Sequence, residues 1–140
     1  MICTFFGHSN SPNTLIPQIE EIVTKLIVSH KVSKFLVGNN GNFDLIVQKI
    51  LKSLSKSKLN FDYYIVLSSI NETALSGEQE VTVFPEELAR CPSKYRIYKR
   101  NEYLIKNSHY AITYVKKQFS NSKKWKEKAI SKNLVVIDIL

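Results

Sequence analysis

Cysteine is scarce. Only Cys3 and Cys91 occur, and they lie too far apart for any metal or redox spacing. A disulfide-held scaffold and a cysteine zinc site are therefore not expected. Cys3 falls inside an apolar run and reads as a small buried hydrophobe. Histidine is scarce too. His8, His30 and His109 form no HxxxH or HxH pair, so no structural or catalytic metal is expected. No apolar stretch approaches the roughly 20 residues of a membrane span, and no charged-then-apolar leader stands at the N-terminus. The expectation is a cytoplasmic chain with no membrane partner. Glycine and proline number four each, and no low-complexity linker or internal repeat is visible.

What is present describes one globular domain over residues 1–140. Hydrophobic residues make up 44% and charged residues 23%, enough to bury a core. The net charge of +8 favours anionic partners. The excess is nearly all lysine, beside abundant Asn and Ile, which reads as a composition bias rather than a patch. Nucleic acid is thus not the expected partner.

Apolar runs at 2–6, 34–37, 61–67, 110–115 and 134–139 have the length and β-branched or aromatic content of buried strands. Between them lie helical spacings. Leu15, Ile19, Ile22, Val23, Leu26 and Ile27 repeat at three and four and end near His30, with Pro17 tolerated in the first turn. Phe43, Ile46, Val47, Ile50, Leu51 and Leu54 form a second apolar face, with Asn42 as the expected N-cap. A helix is predicted over 100–107 and a lysine-rich one over about 122–131. Residues 68–92 read as a long connection with one short strand at Val81–Phe84. Strands alternating with helices predict an α/β, Rossmann-like, doubly wound parallel sheet of five strands in the order 3-2-1-4-5, with helices on both faces.

Ligands of such sheets bind at the carboxyl ends of the strands, where the strand order reverses. The loops starting at Gly7, Gly38 and Lys116 are therefore the candidates. Gly38-Asn39-Asn40-Gly41-Asn42-Phe43-Asp44 puts two glycines between a strand and a helix. Gly38 and Gly41 are expected to let a phosphate or ribose approach the backbone, with the helix N-terminus behind it and Asp44 fixing a hydroxyl. Gly7-His8 closes the first strand and puts the imidazole at the sheet's mouth. Arg100-Asn101 is expected to open a helix, with the guanidinium on the rim for an anion.

The segments Phe5-Phe6-Gly7-His8, Val37 to Asp44, Thr82 to Glu86, Arg100-Asn101 and Ser108 to Val115 together resemble the SLOG superfamily, in the form of a small bacterial member left uncharacterised. The resemblance runs through nearly the whole chain. SLOG proteins share a Rossmann-like fold. They include the DNA-processing DprA type and the LOG phosphoribohydrolases, which release a base from a nucleoside monophosphate. By resemblance Gly7, His8, Gly38, Asn39, Gly41, Asp44, Arg100 and Asn101 are ligand-binding.

If the chain is a hydrolase, Arg100 and Glu127 are the catalytic candidates. Asn101 replaces the lysine of the hydrolases' Arg-Lys pair. Ser120-Asn121 and Lys123-Lys124 replace the glycines and threonine of their phosphate loop, which puts that cradle in question. The expectation is a module that binds or senses a nucleotide-derived small molecule without a cofactor. Phosphoribohydrolase activity and DprA-like nucleic-acid binding are the alternatives. The resemblance also implies pairing of two copies, through the earlier helices rather than the lysine-rich last one, where like charges would meet across a two-fold axis.

Overall fold

A computed structural model describes residues 1–139. Six strands form one sheet: β1 (Ile2–Gly7), β2 (Lys34–Val37), β3 (Asp62–Val66), β4 (Thr82–Val83), β5 (Tyr110–Tyr114) and β6 (Val135–Asp138). The order is β4-β3-β2-β1-β5-β6, and every pair is parallel. The five strands predicted from apolar runs thus take the predicted order. The correction is the sixth: the Val81–Phe84 segment contributes a two-residue strand at the edge, parallel to β3, with Ile65 opposite Thr82 and Val66 opposite Val83.

Strand alternation divides the core into two halves. Cys3, Phe5, Phe35, Val37, Tyr63, Ile65 and Ile112 point to one face, where they meet α1 (Ile16–Ser29) and α2 (Gly41–Ser55). Phe6, Leu36, Val66 and Ala111 point to the other, where Leu104 and Ile105 of α4 (Arg96–Lys106) and Trp125 and Ala129 of α5 (Asn121–Ser131) cover them. Both faces of the strands are buried, so their sequences are continuously apolar rather than alternating. A one-turn helix α3 (Glu86–Ala89) lies between β4 and α4. No helix among the described residues is long and apolar enough to cross a membrane.

Two helix starts differ from the sequence reading. α2 begins at Gly41 with Asn40 as its N-cap, two residues before the expected Asn42. Asn42 instead donates through Nδ2 to Ser11 O (2.6 Å) and Asn13 Oδ1 (3.0 Å), tying α2 to the loop after β1. α4 begins at Arg96, not Arg100. Its N-cap is Tyr95, which makes no side-chain capping bond, so the sequence carries no polar signal at the true start.

Candidate functional site

The chain winds outward from β1 through α1, β2, α2 and β3 on one side, then crosses back through α4 to β5 on the other side of β1. β1 and β5 stay paired to their ends, Gly7 opposite Tyr114, and the loops that follow them leave toward opposite faces of the sheet. A cleft of about 910 Å³ opens there, walled by α4 and by the loop from β5 into α5. Gly7, His8, Gly38, Asp44, Arg100, Asn101 and Glu127 all line it, although they are spread along most of the chain. Asn39 and Gly41 do not.

The glycines serve the fold more than the cleft. A Cβ on Gly7 would run directly into the ring of Phe43, which packs against the end of β1. Gly41 has φ of +83°, and a Cβ there would sit 2.6 Å from the Ser9 backbone. The expected ligand approach at Gly41 is thus corrected: the space before it is filled by the chain's own loop. At Gly38 a Cβ would lie 2.9 Å from Asp44 Oδ2 and 3.1 Å from Arg100 Cζ. Gly38 therefore leaves room for two side chains to converge, rather than for a phosphate on bare backbone.

Those two side chains form the floor. Asp44 stands in the first turn of α2 and is 9% exposed. Its Oδ2 accepts from the Asn40 backbone N–H at 2.8 Å. Burial pushes its carboxyl up to about 6, opposed by the facing Arg100 charge and by the Asn40 bond. Arg100 is 2% exposed, one full turn inside α4, and is no rim residue as the sequence reading had it. Its Nη1 donates to Val66 O (3.1 Å) and its Nε to Asn101 Oδ1 (2.9 Å). Burial works against the guanidinium charge, and Asp44 and Glu72 support it. No Asp44 oxygen comes within 4.0 Å of a guanidinium nitrogen, so the pair interacts without direct contact.

His8 is buried at the end of β1, edge-on to Tyr114. Its Nε2 accepts from the backbone N–H groups of Lys116 (2.7 Å) and Lys117 (3.3 Å). The ring thereby holds the start of the β5–α5 loop and is neutral, with its proton on Nδ1. Burial, with the Lys117 charge, lowers its pKa below the usual histidine value. An imidazole so engaged shapes the loop and is not free to serve as a base through Nε2.

The loop it holds forms the cleft's mouth. Lys117, Phe119, Lys123 and Lys124 line it. Phe119 is 94% exposed, an aromatic ring offered to solvent at the edge of a polar cleft. Ser120 is the N-cap of α5 and accepts the Lys123 backbone N–H. The helix start is thus capped by a side chain. The N–H groups of Asn121 and Ser122 remain at the positive end of the helix dipole. Glu127 is on the next turn, exposed, 3.6 Å from Lys123.

Asn39 faces away from the cleft. Its Nδ2 donates to Glu72 Oε2 (3.1 Å) and Thr73 O (3.0 Å), while its Oδ1 accepts from Gln48 Nε2 (3.1 Å) and Leu75 N (2.8 Å). Gln48 also bonds Gly38 O and Ser76 N. This network pins residues 68–77 against α2, and its members give no local sequence signal. No family model, curated protein or solved structure matches the chain.

Proposed function

We propose that this chain binds a phosphate-bearing, nucleotide-derived small molecule in the cleft at the carboxyl end of β1, beside α4 and the start of α5, as a binding or sensing module of SLOG type. The observation that carries the reading is the position and make-up of that cleft. It opens at the reversal of strand order, where open α/β sheets hold their ligands. Its mouth combines lysines, the start of α5 and an exposed aromatic ring, which suit a phosphate and a base. Its floor combines a carboxylate with a guanidinium.

Arg100 acts in this reading as a fixed charge that holds Asp44 and the β3 end, not as the anion's first partner. The anion's partners are Lys117, Lys123 and Lys124. A thermal-shift series with nucleoside 5′-monophosphates, nucleosides and inorganic phosphate tests the reading. A monophosphate present at about 100 times its Kd raises stability by about 2.7 kcal/mol. A series in which no phosphate-bearing compound moves the transition contradicts it.

One observation favours the hydrolase alternative: Arg100 and Glu127 line the same cleft, as the resemblance to the LOG enzymes implies. Release of free base from a nucleoside monophosphate is its direct readout. Nucleic-acid binding has less support, since Lys126 and Lys128, further along α5, each lie within 4.0 Å of an acidic side chain.

A further inference from the structure

Four polar side chains in the cleft are nine-tenths or more buried: His8, Asp44, Arg100 and Ser122, the first three of them at its floor. His8, Asp44 and Arg100 each commit part of their hydrogen-bonding capacity to the fold and keep one part unused. His8 accepts through Nε2, and its Nδ1–H has no acceptor among the described residues. Asp44 accepts through Oδ2, and no group donates to Oδ1. Arg100 donates through Nε and Nη1, and Nη2 has no acceptor. Ser108 Oγ is the sole side-chain atom among the described residues that is both sealed from solvent and without a partner. The three unused atoms therefore reach solvent. The three residues that carry them all line the cleft.

Buried polar groups ordinarily find partners inside the protein. Here three residues from different segments, all lining one cleft, keep one acceptor and two donors unused. A bare phosphate does not fit that floor, because the Asp44 carboxylate would repel it. A planar base finds its aromatic surface at the mouth, on Phe119. Two adjacent hydroxyls do fit: each donates one hydrogen bond, which a carboxylate oxygen accepts, and each accepts one, which an imidazole or guanidinium N–H supplies.

We propose that the floor of the cleft recognises the 2′,3′-diol of a ribose, and that Asp44 is the residue that tells ribose from its deoxygenated forms. This deepens the function proposed above and rests on it: the phosphate sits at the lysine-rich mouth while the sugar reaches down to Asp44. Acidic side chains hold ribose hydroxyls elsewhere among doubly wound sheets for the same chemical reason.

Calorimetric titration of adenosine 5′-monophosphate and its 2′,3′-dideoxy analogue tests the assignment, on the wild type and on Asp44→Ala and Asp44→Asn. The wild type should bind the dideoxy compound at least about tenfold more weakly, equivalent to about 1.4 kcal/mol. Asp44→Ala should bind the two within about twofold, still displaced by inorganic phosphate, and Asp44→Asn, a neutral acceptor, should fall between. Equal affinities in the wild type overturn the assignment, as does a preference that survives in Asp44→Ala. Should that variant not fold, the wild-type ratio and the Asp44→Asn ratio decide. Binding of both nucleotides without preference sinks the diol assignment alone. Binding of neither sinks the nucleotide reading and this one with it.

Discussion

Asp44 makes the fold's stability depend on pH in a direction opposite to most carboxylates. Its carboxyl titrates near 6 in the folded chain against a reference value of 3.8. The folded state therefore holds the proton more tightly than the unfolded one. Its contribution is fully present below pH 3.8 and is lost as pH rises through 6. At about 1.4 kcal/mol per unit, roughly 3 kcal/mol is at stake. Asp44→Asn removes the titration, so its denaturant stability minus that of the wild type should be near zero at about pH 4 and rise by roughly 3 kcal/mol by pH 7. A pH-independent difference would contradict the burial that raises this carboxyl.

Arg100→Ala should destabilise the fold by about 3 kcal/mol, because it leaves Val66 O without its buried donor and removes the positive charge facing Asp44. An unchanged urea midpoint would return Arg100 to the solvated rim. These residue roles were only partly legible in the sequence. Asp44 and Gly38 stand out locally. That Gly7 exists to admit Phe43, or that Gly41 turns its back on the cleft to pack on Ser9, follows from contacts made across long stretches of chain.

At the scale of elements, the start of α5 is the most informative. Ser120 spends its hydroxyl on the Lys123 N–H. Ser120→Ala should lower stability by about 1 kcal/mol, while Ser120→Gly should cost only a few tenths, both read from denaturant midpoints. Equal losses would mean that the serine does not cap the helix. The strong elements were readable because each carries its own signal. The apolar periodicity of α1 and α2 is uninterrupted, and β1, β2 and β5 are continuous apolar runs. The start of α4 was not readable, since its cap offers no hydrogen-bonding side chain and its first turn, Arg96-Ile97-Tyr98-Lys99, is polar or half-exposed. That four-residue error is what put Arg100 on the rim instead of in the floor. β4 was legible as a short strand at Val81–Phe84, but its two residues hold too little pattern to count it into the sheet.

At the scale of the molecule, the strand order follows from few premises: right-handed crossovers, buried parallel strands, and one return of the chain across the sheet. That return sends the loops after β1 and β5 to opposite faces of the sheet, and the cleft opens where they part. Its polar lining is supplied by segments that share no local pattern: the end of β1, the first turn of α2, the middle of α4 and the start of α5. The claim that this cleft holds a nucleotide-derived anion is tested most directly by calorimetric titration of a nucleoside 5′-monophosphate into the wild type and into Lys117→Ala/Lys123→Ala/Lys124→Ala. These three side chains line the mouth, and none is buried, so their loss leaves the core intact. The account predicts saturable one-to-one binding to the wild type and an affinity at least about tenfold lower in the triple variant, about 1.4 kcal/mol shared among three charges. Equal affinity in the two proteins, or no saturable binding to the wild type, would contradict it.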